Sequence, residues 1–121
     1  MTASDQLHIH TDPASGAVVL GGELTFTTVS TLDAELRRRA EGDPPLVLDV
    51  AALTFCDSAG LALLIGATRR AERQGGGVSL IGVSPSIRRL LRLTGVEQLF
   101  AFPGAERADE AGSLEERGEP A

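Results

Sequence analysis

The run Leu46-Val47-Leu48-Asp49-Val50 is the strongest constraint on what this chain can become. All but Asp49 are aliphatic, the pattern of a central strand covered on both faces. The stretch that follows reads as the end of a buried strand up to Cys56. From Ser58 to Arg73 the spacing is helical. Leu61, Leu64, Ile65 and Thr68 share one side, and Arg69, Arg70 and Arg73 gather at the far end, where cations complement the helix dipole. Gln74-Gly75-Gly76-Gly77 breaks the helix, and Val78-Ser79-Leu80-Ile81 reads as another strand. Helices alternating with apolar strands mean an α/β sheet with helices packed against it.

The flanking segments extend the same order. Leu7-His8-Ile9-His10 alternates apolar and polar, as a half-exposed strand does. Asp12 to Gly16 is a turn by residue type, and Ala17 to Leu20 is a second strand, paired antiparallel to the first. Gly21-Gly22-Glu23-Leu24 continues or bulges it. Thr27, Thr28 and Ser30 are candidate N-caps, and Ser30 with Asp33 approximates a capping box. The helix that follows is expected to run to about Glu41, with Val29, Leu32, Leu36 and Ala40 inward, until Gly42-Asp43-Pro44-Pro45 stops it. Ser84-Pro85 starts a last helix with proline at its first position. Ile87, Leu90, Leu91 and Thr94 form its stripe, Arg88, Arg89 and Arg92 lie off it, Gly95 closes it, and Val96 to Phe100 return apolar residues to the core. The expected fold is a single α/β domain over residues 1–103, with a four- to five-stranded mixed sheet.

Charge separates off the end of the chain. Residues 104–121 hold six acids (Glu106, Asp109, Glu110, Glu115, Glu116, Glu119) against Arg107 and Arg117, a net −4 of the chain's −6. With Leu114 as its one large apolar residue, this segment reads as an acidic flexible tail. A net charge of −6, with phenylalanine the only aromatic, argues against nucleic-acid binding. The longest apolar run falls far short of the roughly 18–20 residues that span a bilayer. No basic segment followed by an apolar one opens the sequence, and Cys56 stands alone, so a cytoplasmic protein is expected.

Chemistry concentrates at Asp57-Ser58-Ala59-Gly60, small and polar between two apolar runs. A helix start carries unpaired N–H groups and partial positive charge, so it tolerates a phosphate. Loops at the carboxyl ends of strands are where α/β sheets place their sites. Ala59 and Gly60 leave the Ser58 hydroxyl uncrowded and open to another protein's backbone. The plain alternative is that Asp57 or Ser58 simply caps the helix, typically worth about 1 kcal/mol.

Other constellations are weaker. His8 and His10 face the same side of a strand without further metal ligands, and read as exposed strand histidines. Cys56 follows Phe55 in an apolar stretch and reads as a small buried hydrophobe. Ser58 lacks the G-x-S-x-G context of a hydrolase nucleophile. Gly75-Gly76-Gly77 has no following lysine and is no phosphate loop. Gly66 reads as a close helix–sheet contact, and the Arg88, Arg89 and Arg92 face as solvated or as a contact for an acidic partner.

Several of these elements together resemble the STAS domain, most of all the bacterial anti-sigma factor antagonists. They are Gly22-Glu23-Leu24, Leu46 to Val50, Thr54 to Leu61, Gly82 to Pro85, and Leu93-Thr94-Gly95-Val96. The likeness runs from about Leu7 to Pro103. It implies a non-enzymatic protein without cofactor or metal. Its Ser58 would be phosphorylated by a partner that is both anti-sigma factor and serine kinase. The unmodified form would bind that partner and free a sigma factor, and a phosphatase would reset it. Asp57, Ser58, Ala59, Gly60 and Leu61 would form the partner-binding surface, with Glu23, Leu24 and Thr25 nearby. Two departures stand out: Ala59 where many members have Ser or Thr, and Thr25 where many have Asp. Two rival roles remain: a STAS subunit of a lipid-transport or sensory scaffold assembly with Ser58 unmodified, or a small-molecule or nucleotide-binding module.

Overall fold

The computed structural model describes residues 6–39 and 45–104. Strand β1 (Leu7–Thr11) pairs antiparallel with β2 (Val18–Leu24), Leu7 opposite Gly22 and Thr11 opposite Val18. Asp12 shapes the turn between them. Its carboxylate accepts hydrogen bonds from the Ser15 hydroxyl (2.8 Å) and the Ala14 N–H (3.1 Å). These two donors hold its carboxyl below the usual carboxylate range.

The chain continues through α1 (Val29–Arg37), β3 (Leu46–Cys56), α2 (Ser58–Arg73), β4 (Val78–Ile81), α3 (Pro85–Leu93) and a 3-10 turn, Glu97–Leu99. The sheet order is β1-β2-β3-β4, and β2, β3 and β4 run parallel. Parallel neighbours cannot be joined by a tight turn, which is why α1 and α2 intervene. Ala101 adds one bridge beside Ser79, its carbonyl accepting from Leu80 N–H at 2.8 Å. The mixed sheet therefore has four strands and a single residue in the place of a fifth.

One apolar cluster joins the sheet to all three helices. Leu7, Leu20, Leu48, Val50 and Leu80 enter it from the strands, Leu32 and Leu36 from α1, Leu61 and Leu64 from α2, and Ile87 and Leu91 from α3. Val47 and Asp49, of alternate parity, do not, although beyond the register shifts of the β2–β3 pairing Leu53 turns into it. Val47 and Asp49 are half-buried, so β3 is fully covered on one face only, contrary to what its run of aliphatic residues predicts. The helices' buried apolar side chains join that one face's cluster, and period-two alternation leaves the other set of side chains with less cover.

The helix ends show where local rules give way. α2 spans the expected Ser58–Arg73, and α3 starts as expected, with Ser84 Oγ accepting from Ile87 N–H at 3.2 Å and Pro85 next. α1 differs. It ends at Arg37, short of the expected Glu41, and residues 40–44 lie outside the described ones. No capping box forms between Ser30 and Asp33, because Ser30 already lies inside the helix. Thr28 sits at the N-cap, but its buried hydroxyl closes the β2–α1 turn instead, donating to Glu23 C=O (2.9 Å) and accepting from Thr25 N–H (2.8 Å).

Arg88 is no part of a solvated basic face. Its guanidinium stacks on the Phe102 ring at 4.1 Å and pairs with Glu97, fastening the segment after α3, while Arg89 and Arg92 are exposed. Gly66 makes no close helix–sheet contact: a Cβ there would meet only Arg70 Nη1, at 3.9 Å. The expected acidic tail lies outside the described residues apart from Gly104. Among the described residues no helix is long and apolar enough to cross a membrane.

Candidate functional site

β3 ends at Cys56 and α2 begins at Ser58, so Asp57 alone makes the turn, in extended conformation. It is tied on every side. Its Oδ1 accepts from Gly60 N–H at 2.9 Å, which is the N-cap of α2. Its Oδ2 accepts from Phe26 N–H at 3.1 Å, across to the β2–α1 turn. Its own N–H donates to Leu24 C=O (3.1 Å) and its C=O accepts from Leu61 N–H (2.9 Å). The plain reading of this turn is thus true of Asp57, and that outcome releases Ser58. Ser58 is exposed, occupies the first helical position, and its hydroxyl has no hydrogen-bond partner among the described residues. The first N–H groups of α2 point out of the helix beside it.

The two segments singled out in the sequence meet here. Glu23 pairs with Phe55 and Leu24 with Cys56 in the β2–β3 ladder. A Cβ on Gly60 would fall 2.6 Å from Leu24 O and 2.8 Å from Leu24 Cγ. Gly60 is buried, and its missing side chain lets α2 start against the chain's own β2 rather than leaving room for another protein's backbone. Leu24 and Leu61 are buried as well and support the surface from beneath. Glu23 and Ser58 are exposed, and Asp57, Ala59 and Thr25 are half-buried. The Thr25 hydroxyl lies 2.9 Å from that of Thr27.

Cys56 is half-buried, and its thiol is pushed up to about 11, chiefly by burial and secondarily by the Asp57 charge. It stays protonated at neutral pH, which fits a small hydrophobe and not a nucleophile. His8 and His10 are exposed on β1, and among the described residues no group of three His, Cys, Asp or Glu is placed to hold a metal ion. An open groove of about 330 Å³ lies between β1 and α1, lined by Leu7, His8, Ile9, His10, Thr31 and Glu35. It includes no residue of the Asp57–Ser58 turn.

Sequence reasoning passed over Phe26. It is 75% exposed, in a turn whose backbone Asp57 holds. A large apolar side chain flanked by threonines, Thr25-Phe26-Thr27-Thr28, was the available signal. Phe55, placed in an apolar strand by its neighbours, is 51% exposed. Segments 23–27 and 54–61 carry the acids Glu23 and Asp57 and no basic residue.

The family model described as "Mlab, STAS domain" matches residues 7–101. The anti-sigma-B factor antagonist of Staphylococcus epidermidis is 34% identical over 84 residues, covering 69% of this chain and 78% of that protein. Its Staphylococcus aureus counterpart is 31% identical over the same shares. An anti-sigma factor antagonist from Mycobacterium paratuberculosis superposes with a TM-score of 0.68 at 26% identity, over 92% of this chain and 97% of that one. SpoIIAA in its unphosphorylated form shares the fold, with a TM-score of 0.61 at 22% identity, over 88% and 96% of the two chains.

Proposed function

This chain belongs to the STAS domain family, among the relatives of the anti-sigma factor antagonists, and from that premise we propose a switch built on Ser58. Members of this kind are regulatory binding proteins and not enzymes. In this reading the chain acts in the cytoplasm. Unmodified, it docks on an anti-sigma factor that is also a serine kinase, and a sigma factor is released. The kinase passes the γ-phosphoryl group of ATP to Ser58 Oγ, ADP leaves, and the hydroxyl proton goes to a base of the kinase. A phosphatase hydrolyses the ester and restores binding.

The observation that carries the reading is the exposed Ser58 hydroxyl, without a hydrogen-bond partner among the described residues because Asp57 supplies the cap. Phosphorylation would add a charge of about −1.5 to −2 beside Glu23 and Asp57, where segments 23–27 and 54–61 hold no cation. The helix start tolerates that charge within the domain. A partner surface that must desolvate it does not, at a cost of several kcal/mol. Each 1.4 kcal/mol is about tenfold in affinity, so one ester can dissolve a micromolar interface without refolding the domain. Asp57, with both carboxylate oxygens already engaged, is a positioning residue.

The test is to incubate the protein with purified anti-sigma kinases of the source genome and ATP, and to locate phosphate by mass spectrometry. Phosphate on Ser58 is expected. Ser58→Ala should bind the kinase as wild type does, and Ser58→Asp at least tenfold more weakly. Equal affinity of all three would remove the switch. Absence of transfer from every kinase, with binding intact, would favour a STAS subunit of a scaffold or lipid-transport assembly.

A further inference from the structure

The chain has four phenylalanines, and the structure divides them evenly. Phe100 and Phe102 are each 7% exposed and belong to the core, whereas Phe26 and Phe55 are 75% and 51% exposed. Both exposed phenylalanines lie in the two segments that meet at the Ser58 turn. Phe55 lies three residues before Ser58, and Phe26 is one hydrogen bond from Asp57. We infer that Phe26 and Phe55 are the apolar anchors of the Ser58 surface, and that its partner is a protein presenting an apolar pocket with a basic rim. This rests on the reading above, in which the partner is the anti-sigma factor, and it specifies the chemistry of that partner's docking site.

Three observations support it. First, Phe26 does not sit on a loose loop. Asp57 holds its N–H, Thr25 N–H donates to Thr28 Oγ1 at 2.8 Å, and the Thr27 hydroxyl donates to Gln6 Oε1 at 3.2 Å. A ring presented on a turn already fixed loses little freedom on docking, which is what an interface anchor needs. Second, an aromatic ring covers about 150–250 Å² when buried, and such rings dominate interface energetics when seated in a partner's pocket. Third, the charge within segments 23–27 and 54–61 has one sign. Glu23 stands directly opposite Phe55 in the β2–β3 ladder, and Asp57 lies beside Phe26. An acidic frame around apolar anchors is complementary to arginine or lysine around a pocket. The same arrangement couples anchors to switch, because a phosphate on Ser58 would be desolvated whenever the rings seat.

The experiment measures binding of the full chain to the anti-sigma kinases purified for the phosphorylation assay. Phe26→Ser and Phe55→Thr are compared with wild type, with Ser58→Asp and with Leu93→Ser, which removes a 73% exposed side chain from α3. Each Phe variant is expected to bind at least tenfold more weakly with an unchanged urea midpoint, Leu93→Ser to bind as wild type, and Phe26→Leu to recover part of the loss. Should a Phe variant fold poorly, Phe26→Ala and Phe55→Val carry the same comparison. Wild-type affinity in the Phe variants, with Ser58→Asp still weakened, would overturn the anchors and leave the switch standing. No binding by any kinase would overturn the switch and the anchors with it. Concentration-dependent self-association of wild type, lost in the Phe variants, would assign the rings to a second copy of this chain and overturn the proposed partner.

Discussion

Helices α2 and α3 begin almost alike, yet their first turns use a serine in opposite ways. Each follows a parallel strand, and each has an extended N-cap residue whose side chain accepts from the N–H three residues on. Those bonds are Asp57 to Gly60 at 2.9 Å and Ser84 to Ile87 at 3.2 Å. Each start carries a serine. At α3 the serine is the cap, so its Oγ is occupied by the helix and shared with Ser86 at 3.3 Å. At α2 the cap is an aspartate, and the serine stands one position later, exposed and without a hydrogen-bond partner among the described residues. A shift of one residue separates a hydroxyl that serves its own helix from one available to a second molecule. The carboxylate matters for a further reason: with two acceptor oxygens, Asp57 caps α2 and still holds Phe26, which a hydroxyl cap could not do in the same geometry.

The sharpest way to break this comparison is at the third helical residue. α3 places Ile87 there, buried in the core, whereas α2 places Gly60 against Leu24. Gly60→Ala should cost about 2–3 kcal/mol, because its Cβ collides with backbone that cannot swing away. Chemical denaturation would read this as a lowered midpoint, and a wild-type midpoint would show that α2 does not rest on β2. Next in size is the contrast between the caps. Ser84→Ala should lose about 1 kcal/mol and Asp57→Ala about 1–2, the excess coming from the lost Phe26 tie. Equal losses would mean that the tie contributes nothing. The smallest effect is expected at Ser58 itself. Ser58→Ala should stay within about 0.5 kcal/mol of wild type, since the exposed hydroxyl has no hydrogen-bond partner among the described residues. A loss as large as that of Ser84→Ala would place Ser58 in the cap and erase the distinction.

Much of this was legible in the residues. The limits of α2, the Ser84-Pro85 start of α3, the Asp12 turn and the succession of strands and helices along the chain each rest on a few neighbouring side chains, and each is found where expected. The misreadings share a cause. Thr28 was a candidate cap by type, but its hydroxyl is used across the β2–α1 turn. Arg88 lay off the apolar stripe of α3, yet it stacks on Phe102 from beyond that helix. Gly60 was read as room for a partner, and the neighbour it accommodates is Leu24. Phe26 went unnoticed because an aromatic residue is inside or outside only by virtue of what reaches over it.

The sequence by itself determined where strands and helices lie, that a small polar turn interrupts two apolar runs, and that a serine stands at a helix start. Periodicity and capping act over one or two turns of chain, so they can be read locally. Only the tertiary structure decided that the turn bearing an exposed phenylalanine is tied to the residue before this serine. That outcome depends on one aspartate accepting a hydrogen bond from a residue 31 positions away, and no local pattern encodes which distant backbone will arrive there.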